Sequence, residues 1–253
     1  MSLQDFQRAL SDLVMSPGLR TRVAEQPEAG LAAYELSERE RRRLAAVARD
    51  PGLRTGMLLH RGFRLSMLSN TIPRTCRLLG PSGLKALVHA YWSDHPPQSM
   101  LYVQEAGRFA DYAFARLADG TYEHPFLREV LETELAVLIL GKGSGAWEPP
   151  AQAAVPERPR LHPLCRVVAF RHDPDAVLQA LDAGRSLDGL AAGEHFLLLT
   201  ATGGGRVTLR QVPAEQGRAL AACDGTRTGA EVGVAAEVGI EVMEEVAAGG
   251  WVV

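Results

Sequence analysis

The chain has 253 residues, 46% of them hydrophobic and 6% aromatic, with a net charge of −3. That length suits two domains with cores of mostly Leu, Val and Ala, and no apolar run approaches the roughly 18 residues of a membrane helix. Residues 1–140 carry 17 Lys and Arg against 16 Asp and Glu, and the remainder 10 against 14, so neither part has the basic excess that gripping a phosphate backbone requires.

The opening MSLQDFQRALSDL is amphipathic and mixed in charge, without the basic head and apolar stretch of a signal peptide. Leu3, Phe6, Leu10 and Leu13 keep the spacing of one helical face. Ser16-Pro17 opens a second helix as cap and first-turn proline. Ser37 and Glu40 form a capping box ahead of a third. Asp50-Pro51 starts a longer helix running to about Asn70, which Pro73 ends or kinks. Ser82 caps a helix carrying Leu84, Leu87, Val88, Tyr91 and Trp92, stopped by His95-Pro96-Pro97. Another spans about Met100 to Leu117, and His124-Pro125 introduces the last, with Leu127, Val130, Leu131, Leu135 and Leu138 as its apolar face. No strand is predicted here. Residues 1–140 therefore read as a helical domain. Residues 141–160, rich in Gly, Pro and Ala without periodicity, read as a linker.

Residues 161–253 change character. LCRVVAF (164–170) reads as a strand, DPDAVLQALDAG (173–184) as a short helix, and HFLLLTA (195–201) as a second strand. A glycine turn at 202–205 leads to RVTLRQV (206–212), whose alternation marks a half-exposed strand. Three helices follow: Pro213 to Cys223, one behind the Thr228–Glu231 capping box, and Ile240 to Ala248. A small sheet followed by three helices resembles a winged helix, and the chain as a whole reads as α+β.

The chemistry-bearing motifs are absent. Seven histidines and three cysteines, Cys76, Cys165 and Cys223, show no ligand spacing, so no metal or cofactor is expected. No nucleophile elbow, Walker loop or dinucleotide loop occurs, and Gly203-Gly204-Gly205 sits between two strands rather than between a strand and a helix. Two charge features stand out. Arg54, Arg61 and Arg64 fall within about 80° on one helix, in a segment from 51 to 80 that has no acid. They read as a solvated face or as a surface for a partner. Beyond Arg227 there is no Lys or Arg, while Glu231, Glu237, Glu241, Glu244 and Glu245 accumulate. In a DNA-binding winged helix those carboxylates would stand where the recognition helix meets phosphate.

The segment IPRTCRLLGPSGLKALVHAYWSDHPPQSMLYVQEAGRFADYAFARL (72–117), followed by LHPLCRVVAF and the later hairpin, resembles a family labelled as DNA-binding domains. Its members are partner subunits of multinuclear iron-dependent oxidative enzymes, the methanobactin partner subunit being a relative. The first fifty residues, with SPGLRTRVAEQPEAGLAAYELSERER, resemble instead helical modules of accessory subunits of extradiol dioxygenases. The family resemblance implies a non-catalytic, cytoplasmic subunit that forms a heterodimer with the iron enzyme. The resemblance further implies that it binds a ribosomally made precursor peptide with a C-terminal domain similar to leader-peptide recognition elements, and neither nucleic acid nor membrane is expected as a partner.

The strand Arg206, Val207, Thr208, Leu209, Arg210 and Gln211 is the candidate edge for an added peptide strand, with Val242, Met243 and Val246 of the third helix as apolar groove wall. The same side chains read equally as an internal strand and ordinary core. A winged-helix DNA-binding regulator is the alternative function.

Overall fold

A computed structural model describes residues 3–95, 101–143, 145–148 and 154–253. It is α+β: among the described residues, twelve helices and one three-stranded antiparallel sheet, with a wholly helical N-terminal region. No helix among them is long and apolar enough to cross a membrane. By contacts the chain forms two compact units, residues 1–70 with 85–109, and residues 71–84 with 110–253. This division differs from the sequence expectation of domains at 1–140 and 161–253.

The helical unit begins with α1 (Leu3–Met15), α2 (Pro17–Glu25), α3 (Pro27–Gly30) and α4 (Glu38–Arg49). Their caps are those of the sequence. The Ser16 hydroxyl accepts from the Leu19 N–H at the start of α2, and Ser37 and Glu40 form a reciprocal box at α4. The buried stripe of α1 runs through Ala9 and Leu13, with Phe6 and Leu10 at its margins; Leu3 is exposed. Ala9 and Leu13 pack with Val23, Leu31, Leu44 and Ala48. Next comes α5 (Pro51–Thr71). The following helix, α6 (Pro73–Asp94), starts at Pro73 and breaks at Gly80, whose φ of 61° is left-handed and precedes Pro81. The break therefore comes from a Gly-Pro pair, and a second helical stretch begins there, close to the Ser82 start read from the sequence. Residues 96–100, where the helix stop and the next start were expected, lie outside the described residues. α7 (Tyr102–Ala118) follows.

The second unit contains α8 (Leu127–Gly141), β1 (Cys165–His172), α9 (Pro174–Asp182), β2 (Ala192–Gly203), β3 (Arg206–Val212), α10 (Ala214–Ala222), α11 (Gly229–Ala236) and α12 (Ile240–Ala248). The strands run in the order β1-β2-β3, with Cys165 opposite Thr200 and Thr200 opposite Thr208. Both sheet faces are covered. Leu197, Leu199 and Ala201 pack with Val130, Ala136 and Leu140 of α8 and with α9. Phe196 and Leu198, the alternate residues of β2, pack with α10, α11 and α12. This explains why α8 belongs with the sheet: the residues of its buried side are one wall of the sheet's core. α10 lies so close to β2 that a Cβ on Gly217 would enter the space of the Phe196 ring.

α8 also buries polar groups. The Glu134 carboxylate accepts from the N–H groups of Arg74 and Thr75 at 2.7 and 2.8 Å, capping the start of α6 from a distance. Burial raises its pKa. Glu129 accepts from the Arg171 N–H at 2.9 Å through one oxygen, while the other lies 3.8 Å from His172 Nδ1. Arg74 grips Asp182 of α9 with two bonds, at 2.9 and 2.7 Å.

The described residues of the segment expected to be a linker are tied to this unit. Trp147 donates its backbone N–H to Ala201 O at 2.6 Å and its indole N–H to Gly250 O at 2.9 Å. Arg160 and Val253 exchange two backbone bonds at 2.9 and 2.8 Å, and His162 N–H donates to Trp251 O at 2.7 Å. Residues 144 and 149–153 of the segment lie outside the described residues.

Candidate functional site: an open sheet edge

β3 is built by its glycine turn and its alternation. Gly203, Gly204 and Gly205 all have positive φ, at 82°, 58° and 75°, a run that only glycine adopts at no steric cost. Val207 and Leu209 then turn toward the core shared with α8, and Arg206, Thr208 and Arg210 toward the other side. Val212 closes the strand in the core with α10. The strand pairs with β2 along one side only and ends the sheet. Its other side holds backbone donors and acceptors that no strand among the described residues satisfies. All six residues from Arg206 to Gln211 are thus brought to one edge.

On one face of the sheet, across β2 and β3, lies a cleft of about 180 Å³ lined by Trp147, Leu198, Thr200, Thr202, Thr208, Arg210 and Trp251. The Arg210 guanidinium sits over the Trp251 ring, 4.7 Å from its centroid. The two bonds of Trp147 fix one wall, and the pairing around Trp251 fixes the other. The result is an aromatic and hydroxyl-lined recess on the face to which Thr208 and Arg210 of the edge strand contribute. It can take a side chain of an extended chain whose backbone pairs with β3.

The groove wall expected from the third helix is a correction. Val242, Met243 and Val246 are buried in the core with Phe196, Leu198 and Leu220. The reason is geometric: α12 packs on α10 and α11, so its apolar face is spent on them. Trp147 and Trp251, and not these residues, line the recess over β2 and β3. Trp251 was visible only as a terminal aromatic. Trp147 sat in a Gly-Pro segment, where a lone tryptophan was the one available signal of an anchor.

The arginine face also needs correction. Arg54 is exposed and Arg61 half-buried, but Arg64 is 5% exposed. Its guanidinium pairs with Glu105 of α7 at 2.6 Å, donates to His95 O at 3.3 Å, and lies 5.4 and 5.1 Å from the ring centroids of Tyr91 and Trp92. The acid it needs is 41 residues away, so the acid-free segment around it gave no hint. What α5 exposes instead includes Leu58 and Leu59 beside Arg54.

Among the described residues no group of three or more His, Cys, Asp or Glu is placed to hold a metal ion. Cys165 and Cys223 are buried thiols, pushed up to about 12 and about 11 by desolvation. On the acidic helices, Glu237, Glu241, Glu244 and Glu245 are all exposed or nearly so. Compared with known proteins, the chain matches no family model, and it matches no curated protein either.

Proposed function

We propose that this protein is a non-catalytic partner subunit that binds a ribosomally made precursor peptide by strand addition at β3. It presents that peptide to a multinuclear iron-dependent oxidative enzyme, in the cytoplasm. One observation carries the reading: β3 ends the sheet with its outer side unpaired, and its Thr208 and Arg210 line a recess on the sheet face. Main-chain pairing at such an edge supplies affinity, and the recess between Trp147 and Trp251 supplies selectivity. The exposed carboxylates of α11 and α12 would repel a phosphate backbone, which favours a peptide over DNA as the ligand. The enzyme contact is proposed on α5, through Arg54 with the exposed Leu58 and Leu59.

The test uses two prolines. Along a strand, successive N–H groups point to opposite sides, so one of Thr208 and Leu209 donates outward and the other into the ladder. Thr208→Pro and Leu209→Pro are compared with the wild type for binding of the precursor peptide encoded beside the gene, by fluorescence anisotropy, after circular dichroism has confirmed folding. The outward substitution abolishes peptide binding in a folded protein. Normal peptide binding by both folded variants would remove β3 as the site.

A further inference from the structure

We propose that the helical unit holds a second binding site, a cavity that takes a small organic anion, carboxylate or phosphate monoester, on an apolar body. The cavity lies where the start of α2 meets α5 and the far end of α6, all within residues 1–70 and 85–109. Its volume is about 480 Å³, within the range of small-ligand sites, roughly 300–1,000 Å³. This site is independent of the β3 edge, which belongs to the other unit.

Its hydrogen-bonding inventory is one-sided. Arg61, half-buried in the lining, has neither an ion pair nor a hydrogen bond among the described residues. Trp92, also in the lining, has its indole N–H buried without a partner. Arg64 at the floor is different, because Glu105 already answers its charge. The one acid in the lining is Asp12, and it is engaged: the Tyr34 hydroxyl donates to it at 2.7 Å. That phenol is pushed up to about 12 by burial and by the bond to Asp12, so the donor stays in place. A ligand entering therefore meets the Arg61 guanidinium with no protein acid beside it among the described residues, and an anion answers that charge.

The remaining lining sets the shape. His89 stacks against Trp92, with ring centroids 6.4 Å apart and planes at 29°, and Met57 and Leu19 supply apolar surface. Burial and the neighbouring Arg64 lower the His60 pKa, favouring the neutral ring. His60 then offers one donor and one acceptor rather than a second fixed charge. Arg61 is thus the charge that selects the ligand, and the aromatic and apolar walls hold its body.

The experiment is calorimetric titration of the full chain with three naphthyl probes: naphthaleneacetate, naphthyl phosphate and naphthylmethylamine. Both anions bind at one site and the amine does not, and the tighter of the two anions identifies the headgroup. Arg61→Gln weakens the anion by about tenfold or more, the loss of one charged hydrogen bond, with an unchanged melting temperature. Trp92→Leu, which removes the aromatic wall, also weakens it. Absence of binding by both anions, equal binding of the amine, or unchanged affinity in both variants overturns the proposal.

Discussion

Replacing Arg64 with Ala tests the claim that this residue is a strut and not a surface charge. The side chain is 6% exposed and its partner Glu105 is 1% exposed. Removing one member of a buried pair leaves the other charge without compensation, at a cost of about 3–5 kcal/mol. The lost contacts with the Tyr91 and Trp92 faces add roughly 0.5–2 kcal/mol each. Against about 5–10 kcal/mol for a unit of this size, Arg64→Ala leaves the helical unit at the margin of folding. Glu105→Ala costs a similar amount. The double variant Arg64→Met with Glu105→Leu costs less than either single, because no charge remains buried. Arg54→Glu and Arg61→Glu each stay within about 0.5 kcal/mol, since both groups reach water. Urea unfolding followed by far-ultraviolet circular dichroism measures all five variants. A loss below about 1 kcal/mol in Arg64→Ala refutes the reasoning, for it would mean that the guanidinium reaches solvent.

Three further outcomes follow from the sheet unit. Glu134→Ala removes two charge-assisted bonds from the first turn of α6 and costs about 2–4 kcal/mol in urea unfolding; Glu134→Gln, with one acceptor left, falls between it and the wild type. Burial raises the Glu129 pKa, so as pH rises above the usual carboxylate range the unfolded chain ionises first. Stability then falls until the folded group ionises too. Glu129→Gln makes that decline shallower, the raised Glu132 and Glu134 supplying the rest, and an unchanged slope of the urea midpoint with pH would contradict the assignment. Iodoacetamide at mildly alkaline pH leaves Cys165 and Cys223 unmodified in the folded protein, as their raised pKa values and burial require, and modifies them in urea; mass spectrometry reads the result.

Much of the fold was legible because its signals are local. The alternation of RVTLRQV gave β3 its observed bounds, and the pairs Ser37–Glu40 and Thr228–Glu231 both form reciprocal capping boxes. The signals that failed are those that local pattern does not encode. Strand order leaves no trace in alternation, so the edge position of β3 came only from the structure. Val242, Met243 and Val246 show one apolar helix face, which is the same signal for a groove wall and for a core. Arg64 and Arg54 share a helix face within about 80°, yet a remote carboxylate turns one into the interior. Trp147 lay among glycines and prolines that suggested a linker, and the backbone bond that seats it is made to β2.

The pairing of Arg160 with Val253 has a consequence for folding order. The two residues exchange backbone bonds across about 90 positions of chain, and closing so long a loop costs on the order of 4 kcal/mol of entropy. That closure becomes favourable only after the sheet and its three following helices have brought the two segments together. The contact then forms late and breaks early, absent from the transition state. Weakening it speeds unfolding and leaves the folding rate nearly unchanged. Unfolding of an Arg160→Pro variant, timed against the wild type, is expected to be faster at a nearly unchanged folding rate.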